Sequence, residues 1–332
     1  MSTLNKKTVL ITGCSTHSLG YALALAFHDA GFRVFATARN EAKMQGLIGE
    51  AKTRTLTKRG KRSRQVHDDE SVDIDVDVDI DLVKLDVLDQ ASIDNCVATV
   101  EGLIDEGARS GRNVAGLSCL VNNAGGGYNM PISDLSIAEG KQLFDLNVWS
   151  YISMTQAFLP LLMTHSSQSS SSRSLIINNT SVSSIEPTPH NSAYHASKAA
   201  AAMFSTHMRI ELEPFDIKVI DLKTGCVHSS FHANHQDGRA SLPATSLYLP
   251  IRAQTESAMR GAFPDREDPD VWARNVVGDV TRSWRNPPLE VWRGTGAWRT
   301  WFYDRFWPRG WWDQSWRRSV GLDLLRVMRG NR

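Results

Sequence analysis

The chain has 332 residues, with 37 Lys and Arg against 36 Asp and Glu and a formal net charge of +1 at pH 7. That balance argues against a nucleic-acid-binding protein, which needs a clear basic excess. Hydrophobic residues make up 41% of the chain. This is enough for a substantial core, and the length suits one large α/β domain or two small ones.

The cysteines and the start of the chain indicate a cellular compartment. Four cysteines are widely spaced and form no C-x-x-C pair, which is typical of reduced thiols rather than of a disulfide framework or a zinc site. The first segment, MSTLNKKTVLITG, has no apolar signal region ahead of the first predicted strand. No apolar run is long enough to span a bilayer. These features predict a cytoplasmic protein.

Short apolar runs alternate with helical patterns through most of the chain. Helices are predicted at Tyr21–Ala30, Ser136–Met163 and Ala193–Leu212. Strands are predicted at Thr8–Thr12, Arg33–Ala38, Leu82–Asp86, Ser118–Asn122, Ser174–Asn178 and Ile217–Leu222. Strands separated by helices imply parallel pairing with right-handed crossovers. The prediction is an α/β fold, a Rossmann-type doubly wound parallel sheet in three αβα layers, with ligands at the carboxyl ends of the strands.

Two segments interrupt this alternation. Residues 58–64 are basic and residues 67–81 are acidic, with Asp alternating with apolar residues. A nucleic-acid patch is one interpretation of the basic run; a solvated insertion whose two charge blocks neutralise each other is the favoured one. The alternation also suits an outward extension of the third strand as an exposed ribbon. Residues 166–174 are rich in serine and predict a surface loop.

The end of the chain is aromatic and basic, because nine of the ten tryptophans lie between Trp272 and Trp316. The sequence therefore predicts a Rossmann domain over residues 1–260 and a Trp/Arg-rich extension over residues 261–332. Tryptophan prefers the membrane interface and arginine reaches lipid headgroups. A peripheral membrane anchor and a helical flap that packs on the sheet are both open.

A dinucleotide-binding turn is predicted in ITGCSTHSLG, residues 11–20. Gly13 ends the first strand and Gly20 begins the first helix, whose N-terminus offers unpaired N–H groups to phosphate. The middle of the turn holds His17 and Ser18 where a glycine is expected. By itself the turn is a weak signal.

Further motifs follow in order: Asp86-Val87, Asn122-Asn123-Ala124-Gly125, and Tyr194-x-x-x-Lys198. With the turn, this series resembles the short-chain dehydrogenase/reductase family over residues 8 to about 230. The segments TGCS, FATAR, NNAG-G-Y and LEVWRGTGAWRTWF are similar to fungal NADPH-dependent 1-acyldihydroxyacetone-phosphate reductases. Those proteins usually carry Gly-Gly in place of His17-Ser18.

The nicotinamide cofactor is predicted to be NADP(H). The second strand ends in Ala-Thr37-Ala-Arg39, with no carboxylate before Glu41 to bind a ribose 2′-hydroxyl. Arg39 offers a planar fork to a 2′-phosphate, with Thr37 and Lys43 as further donors, although Arg39 also suits a plain surface charge. The resemblance implies further cofactor contacts at Ile11, Gly13, Ser15, Ser18, Gly20, Asp86, Asn123, Val227 and Ser229, and at Tyr194 and Lys198.

The reaction centre is predicted at Tyr194 and Lys198, which lie four apart and so share one helix face. An ammonium close to a phenol lowers its pKa. Ser181 lies 13 residues before Tyr194, which is the Ser–Tyr–Lys spacing of the family and favours it over Ser183 and Ser184. Asn147 matches the fourth catalytic residue of the family, which would hold a water beside Lys198; a helix-kink role is its alternative.

These residues imply an NADPH-dependent reductase that converts a ketone of a lipid-like or secondary-metabolite substrate, such as a polyketide or terpenoid, to a secondary alcohol. Oxidation of a secondary alcohol with NADP+ and a non-catalytic, membrane-associated binding protein are the alternatives. His228, His232 and His235 have helical spacing that suits a metal, but the family chemistry needs none and no metal is predicted. The resemblance implies a homo-oligomer; association with the endoplasmic reticulum or lipid droplets through the extension stays open.

Overall fold

The computed structural model describes residues 6–63, 78–112, 115–169, 172–230, 241–261, 265–308 and 310–330. Apolar and β-branched runs form its strands, as in TVLIT, where all five residues are buried because a central parallel strand is covered on both faces. The strands are β1 (Thr8–Thr12), β2 (Arg33–Ala38), β3 (Ile80–Lys84), β4 (Cys119–Asn122), β5 (Ser174–Asn179), β6 (Ile217–Thr224) and β7 (Glu290–Arg293).

All seven strands are parallel and lie in the order β3-β2-β1-β4-β5-β6-β7. The strand order reverses beside β1, which pairs with β2 on one side and β4 on the other. Ligands of open α/β sheets bind at this reversal, outside the carboxyl ends of the strands. The topology thus places a crevice beside the turn that follows Thr12.

Helices cover both faces of the sheet. They are α1 (Leu19–Asp29), α2 (Gly46–Ser63), α3 (Gln90–Arg109), α4 (Ile137–Phe144), α5 (Ser150–Ser166), α6 (Ser192–Glu211), α7 (Arg252–Met259), α8 (Pro269–Arg282), α9 (Ala297–Phe306), α10 (Gly310–Ser319) and α11 (Leu322–Gly330). One core cluster joins the sheet to α1, α2 and α8, and a second joins it to α3, α5 and α6. The predicted three-layer, doubly wound fold with an aromatic-rich C-terminal part is confirmed.

The bounds of the six predicted strands agree with the structure to within two residues at each end, and one further strand was not predicted. β3 begins at Ile80 rather than at Leu82, because Ile80 is buried and Asp81 is neutralised by Arg33 at 2.8 Å. β7 was not predicted; it is a four-residue strand inside the aromatic C-terminal region, too short for an alternation pattern to mark it.

The long predicted helix over residues 136–163 has a different internal geometry. α4 and α5 are joined through a π-helical turn, Asp145–Trp149, which contains Asn147. A π turn inserts one extra residue into a helix and often occurs at a functional site. Periodicity did not reveal it, because one extra residue only offsets the phase of an otherwise helical hydrophobic pattern.

The two unusual segments lie partly outside the described residues. α2 continues to Ser63, and Lys58 in it pairs with Asp29 at 2.7 Å. Residues 64–77, which include most of the acidic segment, are not described, whereas the end of that segment forms the start of β3. The serine-rich segment begins inside α5, since Ser166 is the last residue of that helix.

Residues beyond position 260 contribute to the same sheet. Trp272 of α8 is fully buried in the cluster around α1, and β7 pairs with β6. The domain boundary at residue 260 stays a prediction, while α8 and β7 on its far side share the core of the preceding strands. Among the described helices, none combines the length and the apolar character needed to cross a membrane.

Candidate active site

The turn after β1 is closed tightly at both of its glycines. Gly13 has a left-handed φ of +76°, which glycine adopts without a steric penalty. A Cβ on Gly20 would lie 2.4 Å from the Gly13 carbonyl oxygen and 2.7 Å from Nδ2 of Asn123. No side chain fits there, so the start of α1 approaches the turn as closely as a phosphate cradle requires.

His17 takes the backbone conformation of the missing glycine. Its φ is +63°, in the left-handed region where histidine is one of the tolerated side chains. The side chain is exposed, and the carbonyl accepts a 2.9 Å hydrogen bond from the Ser230 N–H. The turn thus keeps its path without the middle glycine and is tied to the segment after β6.

Ser18 is the N-cap of α1 rather than an outward donor. Its hydroxyl accepts from the Tyr21 N–H at 3.1 Å and donates to the Gly13 carbonyl at 2.8 Å. Because the cap satisfies only one of the N–H groups at the helix start, the remaining first-turn N–H groups stay available for an anion. Ser15 lies half-buried in the same turn.

Two residues predicted to contact the cofactor, Thr37 and Ile11, have side chains that are packed within the protein itself. The Thr37 side chain is fully buried and its hydroxyl donates to the Ile11 carbonyl at 3.0 Å. Ile11 is also fully buried, and its carbonyl accepts from the Cys14 thiol as well. The Thr37 hydroxyl joins β2 to β1, and both side chains lie in the core.

The carboxyl end of β2 carries exposed cations. Arg39 and Lys43 are both exposed, and Lys43 lies in the short helical turn Glu41–Met44, capped by the Asn40 side chain. The Lys43 carbonyl accepts from the Thr16 N–H and hydroxyl, at 2.9 and 2.6 Å. The cations therefore border the turn after β1.

Asp86 follows β3 and Asn123 follows β4, both at the carboxyl ends of the strands. The Asp86 carboxylate accepts from the Leu88 N–H at 3.1 Å. Nδ2 of Asn123 donates to the Thr12 carbonyl at 2.8 Å, and its Oδ1 accepts from Asn179 at 2.8 Å. Asn123 therefore links β1, β4 and β5 through its side chain.

The structure brings Ser181, Tyr194 and Lys198 together at the carboxyl end of β5. Ser181 follows the strand, and its hydroxyl donates to the Thr224 carbonyl at 3.2 Å and accepts from the Ser183 N–H at 3.1 Å. Tyr194, in the first turns of α6, is hydrogen-bonded to Ser181. Ser183 and Ser184 support the Ser181 turn, as the Ser184 hydroxyl donates to the Ser181 carbonyl at 2.7 Å.

Lys198 is buried beside the same group. Its Nζ donates to the Asn179 carbonyl at 2.8 Å and to the Tyr151 hydroxyl at 3.4 Å, and lies 6.0 Å from the centre of the Tyr194 ring. The Tyr151 hydroxyl also donates to the Asn179 carbonyl, at 2.9 Å. Sequence reasoning missed Tyr151 and Asn179, because the π turn at Asn147 breaks the regular helical spacing before Tyr151.

Asn147 closes the site from the π turn. Its Oδ1 accepts from the Gly126 N–H at 2.8 Å, and its Nδ2 donates to the Gly126 carbonyl and the Ser197 hydroxyl, both at 2.9 Å. A Cβ on Gly125 would lie 3.1 Å from Asn147 Oδ1 and 3.6 Å from Lys198 Nζ. Asn147 and Lys198 therefore both border Gly125.

Burial dominates the electrostatics of the pair on α6. It raises the pKa of Tyr194 to about 12, against a lowering by the Ser181 hydrogen bond. It lowers the pKa of Lys198 to about 8, while Asp221 acts in the opposite direction. Burial is the largest of these influences on the Tyr194 phenol, and the Lys198 ammonium donates to Asn179 and Tyr151.

The segment after β6 lies at the same edge of the sheet as Ser181. Val227 is buried and pairs with Glu267, while Ser229 is half-buried. The C-terminal part packs against this segment, since Cys226 pairs with Thr295. The buried Thr300 hydroxyl of α9 donates to buried Glu186 at 2.6 Å. Glu186 and Thr300 were not singled out from the sequence.

The proposed histidine cluster lies mostly outside the described residues, because His232 and His235 are not described. Within the described ranges, no three His, Cys, Asp or Glu side chains are grouped as a metal site. The four cysteines are free thiols.

Comparison with known proteins identifies the family to which this chain belongs. The family model described as short chain dehydrogenase matches residues 7–240. The chain belongs to the short-chain dehydrogenase/reductase family, and it is therefore an oxidoreductase.

Three similar proteins illustrate the relationship. A short-chain dehydrogenase/reductase of Pestalotiopsis microspora, GME11361, is 40% identical and covers 96% of each chain. The NADPH-dependent 1-acyldihydroxyacetone phosphate reductase of Schizosaccharomyces pombe is 33% identical over 74% of this chain and 69% of its own. A Burkholderia cenocepacia short chain dehydrogenase solved in complex with NADP superimposes with a TM-score of 0.60, at 18% identity, over 91% of this chain and 94% of its own.

Proposed function

We propose that this protein is an NADPH-dependent reductase that converts a ketone of a lipid-like or secondary-metabolite substrate to a secondary alcohol. The observation that carries the proposal is the grouping of buried Ser181 and Lys198 with half-buried Tyr194 at the carboxyl end of β5. It lies at the end of the crevice that begins at the Gly13–Gly20 turn, as a nicotinamide dinucleotide enzyme requires.

The residues at the crevice fit a phosphorylated dinucleotide. Gly13 and Gly20 leave no side chain between the turn and the N-terminus of α1, where pyrophosphate would sit. Arg39 and Lys43 are exposed cations at the end of β2 and would hold the 2′-phosphate. Asp86 would hold the adenine, and Ser15, Val227 and Ser229 would border the remaining groups.

The residues of this chain perform the proton chemistry. Bound NADPH supplies the hydride that the carbonyl carbon receives. The Ser181 hydroxyl would donate a hydrogen bond to the carbonyl oxygen and polarise it. The Tyr194 hydroxyl, already hydrogen-bonded to Ser181, would transfer its proton to that oxygen.

Lys198 and Asn147 would restore the proton on Tyr194. Both border Gly125, and a water held between them would connect the buried ammonium to the solvent. Asn147 also fixes the loop at Gly126 through two hydrogen bonds. Its role is thus to hold a relay, while Lys198 supplies the charge.

The state of Tyr194 suits the proton donor that ketone reduction requires. Burial raises the pKa of its phenol to about 12, so the group carries its proton at neutral pH and suits a general acid. A non-catalytic binding protein would have no use for the buried Lys198 beside Tyr194.

The surface of the C-terminal helices suggests where the enzyme meets its substrate. Trp298 is 70% exposed and Phe306 64%, and Trp307 is also exposed. Arg305 lies over the Trp301 ring at 5.3 Å. Exposed aromatic side chains among arginines suit the boundary of an anionic membrane. We propose peripheral binding there, at the endoplasmic reticulum or lipid droplets, and assembly as a homo-oligomer.

Cofactor titration followed by turnover tests the proposed function. We expect NADPH to quench the protein's tryptophan fluorescence with much tighter binding than NADH, because Arg39 and Lys43 pair only with the 2′-phosphate. The Tyr194→Phe variant should bind NADPH like the wild type and lose about 100-fold or more of its ketone turnover. Tyr21→Phe, which removes a hydroxyl bonded to Glu50, is the control. Absence of NADPH binding would contradict the proposal, as would unchanged turnover of Tyr194→Phe.

A further inference from the structure

β6 carries an ion pair that is buried beneath the reaction centre. Asp221 and Lys223 are two residues apart, so they lie on one face of the strand. Their side chains are 9% and 3% exposed, and Oδ2 of Asp221 lies 2.6 Å from Nζ of Lys223. Charges are almost never buried unless they are paired. Val219 precedes them on the same strand face and packs in the cluster of α5 and α6.

Each member of the pair contacts the turn that carries Ser181. The Lys223 ammonium donates to the Ser184 hydroxyl at 2.9 Å, and that hydroxyl donates to the Ser181 carbonyl at 2.7 Å. The Thr180 hydroxyl donates to the Asp221 carboxylate. The residues on both sides of the Ser181 backbone are thereby fixed to β6.

Asp221 also lies on the strand beside the backbone segment that binds the amine of Lys198. Its carboxylate stabilises the ammonium of Lys198 and so raises the pKa of that group, against the larger lowering by burial. It disfavours ionisation of Tyr151, whose pKa it raises together with burial. The backbone between them is continuous, since Asn178 pairs in register with Asp221 and the next residue, Asn179, accepts from Lys198.

The charged and titratable groups around Lys198 come from several elements. α5 contributes Tyr151 and α6 contributes Tyr194, while β6 contributes the ion pair. On β7, Glu290 is paired in register with Asp221. Glu290 is itself bonded to Arg305 at 3.2 Å and to the Trp292 indole at 3.1 Å. Of these two carboxylates, Asp221 is the one on the strand paired with β5, whose Asn179 carbonyl binds Lys198.

We propose that Asp221 and Lys223 are a positioning pair for the reaction centre, in which Asp221 keeps Lys198 as an ammonium and Lys223 holds the Ser181 turn. The inference rests on the proposed function of Lys198 and Ser181. A buried ion pair seldom adds net stability compared with apolar residues. A role in setting the charge of Lys198 gives a reason for its place at this end of β6.

The test measures the ionisation of Lys198 directly. The full-length protein is prepared with lysine labelled with carbon-13 at Cε, and the resonance of Lys198 is identified by its absence from Lys198→Arg. A pH titration by NMR needs neither cofactor nor substrate. Asp221→Asn should lower the pKa of Lys198 by about one unit, because it removes the anion and leaves Lys223 unneutralised. Lys223→Met should raise it, because the carboxylate then acts on Lys198 alone.

Opposite shifts from the two variants are a signature of charge that general loss of structure does not produce. The double variant Asp221→Asn/Lys223→Met removes both charges, and its Lys198 pKa should fall between that of Asp221→Asn and that of the wild type. This double variant replaces a single variant that fails to fold. Lys218→Met, which removes a surface pair with Glu213 on the same strand, is the control and should leave the titration unchanged. Unchanged titration in Asp221→Asn, or shifts of the same sign in both single variants, would overturn the inference.

The alkaline limb of ketone reduction should move with the titration in each variant, and in Lys223→Met kcat should fall more than KM rises. A wild type that reduces no ketone would contradict the proposed function and leave the NMR result standing. An active wild type whose Lys198 titration ignores Asp221 would contradict the positioning pair alone.

Discussion

Single residues decide how the site departs from the family pattern. His17 occupies the left-handed position where the relatives' glycine is expected, with a φ of +63°, and the turn still closes on Gly13 and Gly20. Thr37 was predicted to bind phosphate and is instead buried with its hydroxyl on β1. The sequence could name both residues, but only their backbone angle and hydrogen bonds assign them to a turn and to a core.

The conformation of His17 predicts a stability difference. His17→Val should lower the free energy of unfolding by about 1–2 kcal/mol, because a β-branched side chain is strained at positive φ. Chemical denaturation measures this change. His207→Val, at an exposed position in α6, is the control and should cost only a few tenths of that amount. Equal losses at both positions would contradict strain at His17.

Ionisation of Lys198 predicts the pH dependence of the proposed reduction. Burial lowers its pKa from 10.5 to about 8, so the ammonium is present below about pH 8 and lost above it. We expect kcat/KM for ketone reduction to fall above that pH by roughly tenfold per unit, as for a single titration. A pH–rate profile measures this limb. A flat profile well beyond pH 8 would show that the charge of Lys198 is not needed.

Elements set the site by where they end. β5 ends at Asn179, β6 ends at Thr224, and α6 begins at Ser192, so Ser181, Tyr194 and the β6 ion pair meet although they are far apart in the chain. Helical spacing predicted that Tyr194 and Lys198 share a face. It could not predict that Tyr151 reaches Lys198, because the π turn before α5 shifts the helix face.

The close approach of α1 to the turn predicts a matched pair of glycine variants. Gly20→Ala places a methyl group 2.4 Å from the Gly13 carbonyl and should abolish most NADPH binding while destabilising the fold by about 1–3 kcal/mol. Gly49→Ala in α2, where a Cβ meets nothing within 4 Å, should be neutral or stabilise by up to about 1 kcal/mol. Fluorescence titration and thermal unfolding separate the two. Normal NADPH binding by Gly20→Ala would refute the cradle.

At the scale of the whole molecule, the C-terminal part has two faces. Its inner face packs against the Rossmann domain. Trp272 is buried in the core, and the Thr300 hydroxyl donates to the Glu186 carboxylate. Its outer face exposes Trp298 and Trp307. The flap and the membrane anchor that the sequence left open are therefore compatible in one segment.

The outer face predicts binding to anionic vesicles. Full-length protein should float with vesicles that contain an anionic phospholipid, and less so at high salt, which screens the arginines. Trp298→Asp with Trp307→Asp should reduce the bound fraction about tenfold or more, because two interfacial aromatics are lost. Trp149→Asp, at an exposed tryptophan on α4–α5, is the control. Flotation unaffected by the C-terminal changes would contradict the membrane surface.

The sequence by itself determined the alternation of strands and helices, and with it the parallel sheet, because buried β-branched runs and amphipathic helices have local signatures. It also determined the family, since Gly13, Asn123, Tyr194 and Lys198 stand at the intervals of its motifs. Only the tertiary structure decided which side chains face the crevice and which are packed in the core. Burial, the π turn and the pairing of β6 with β7 depend on contacts between residues distant in the chain, and no local pattern encodes them.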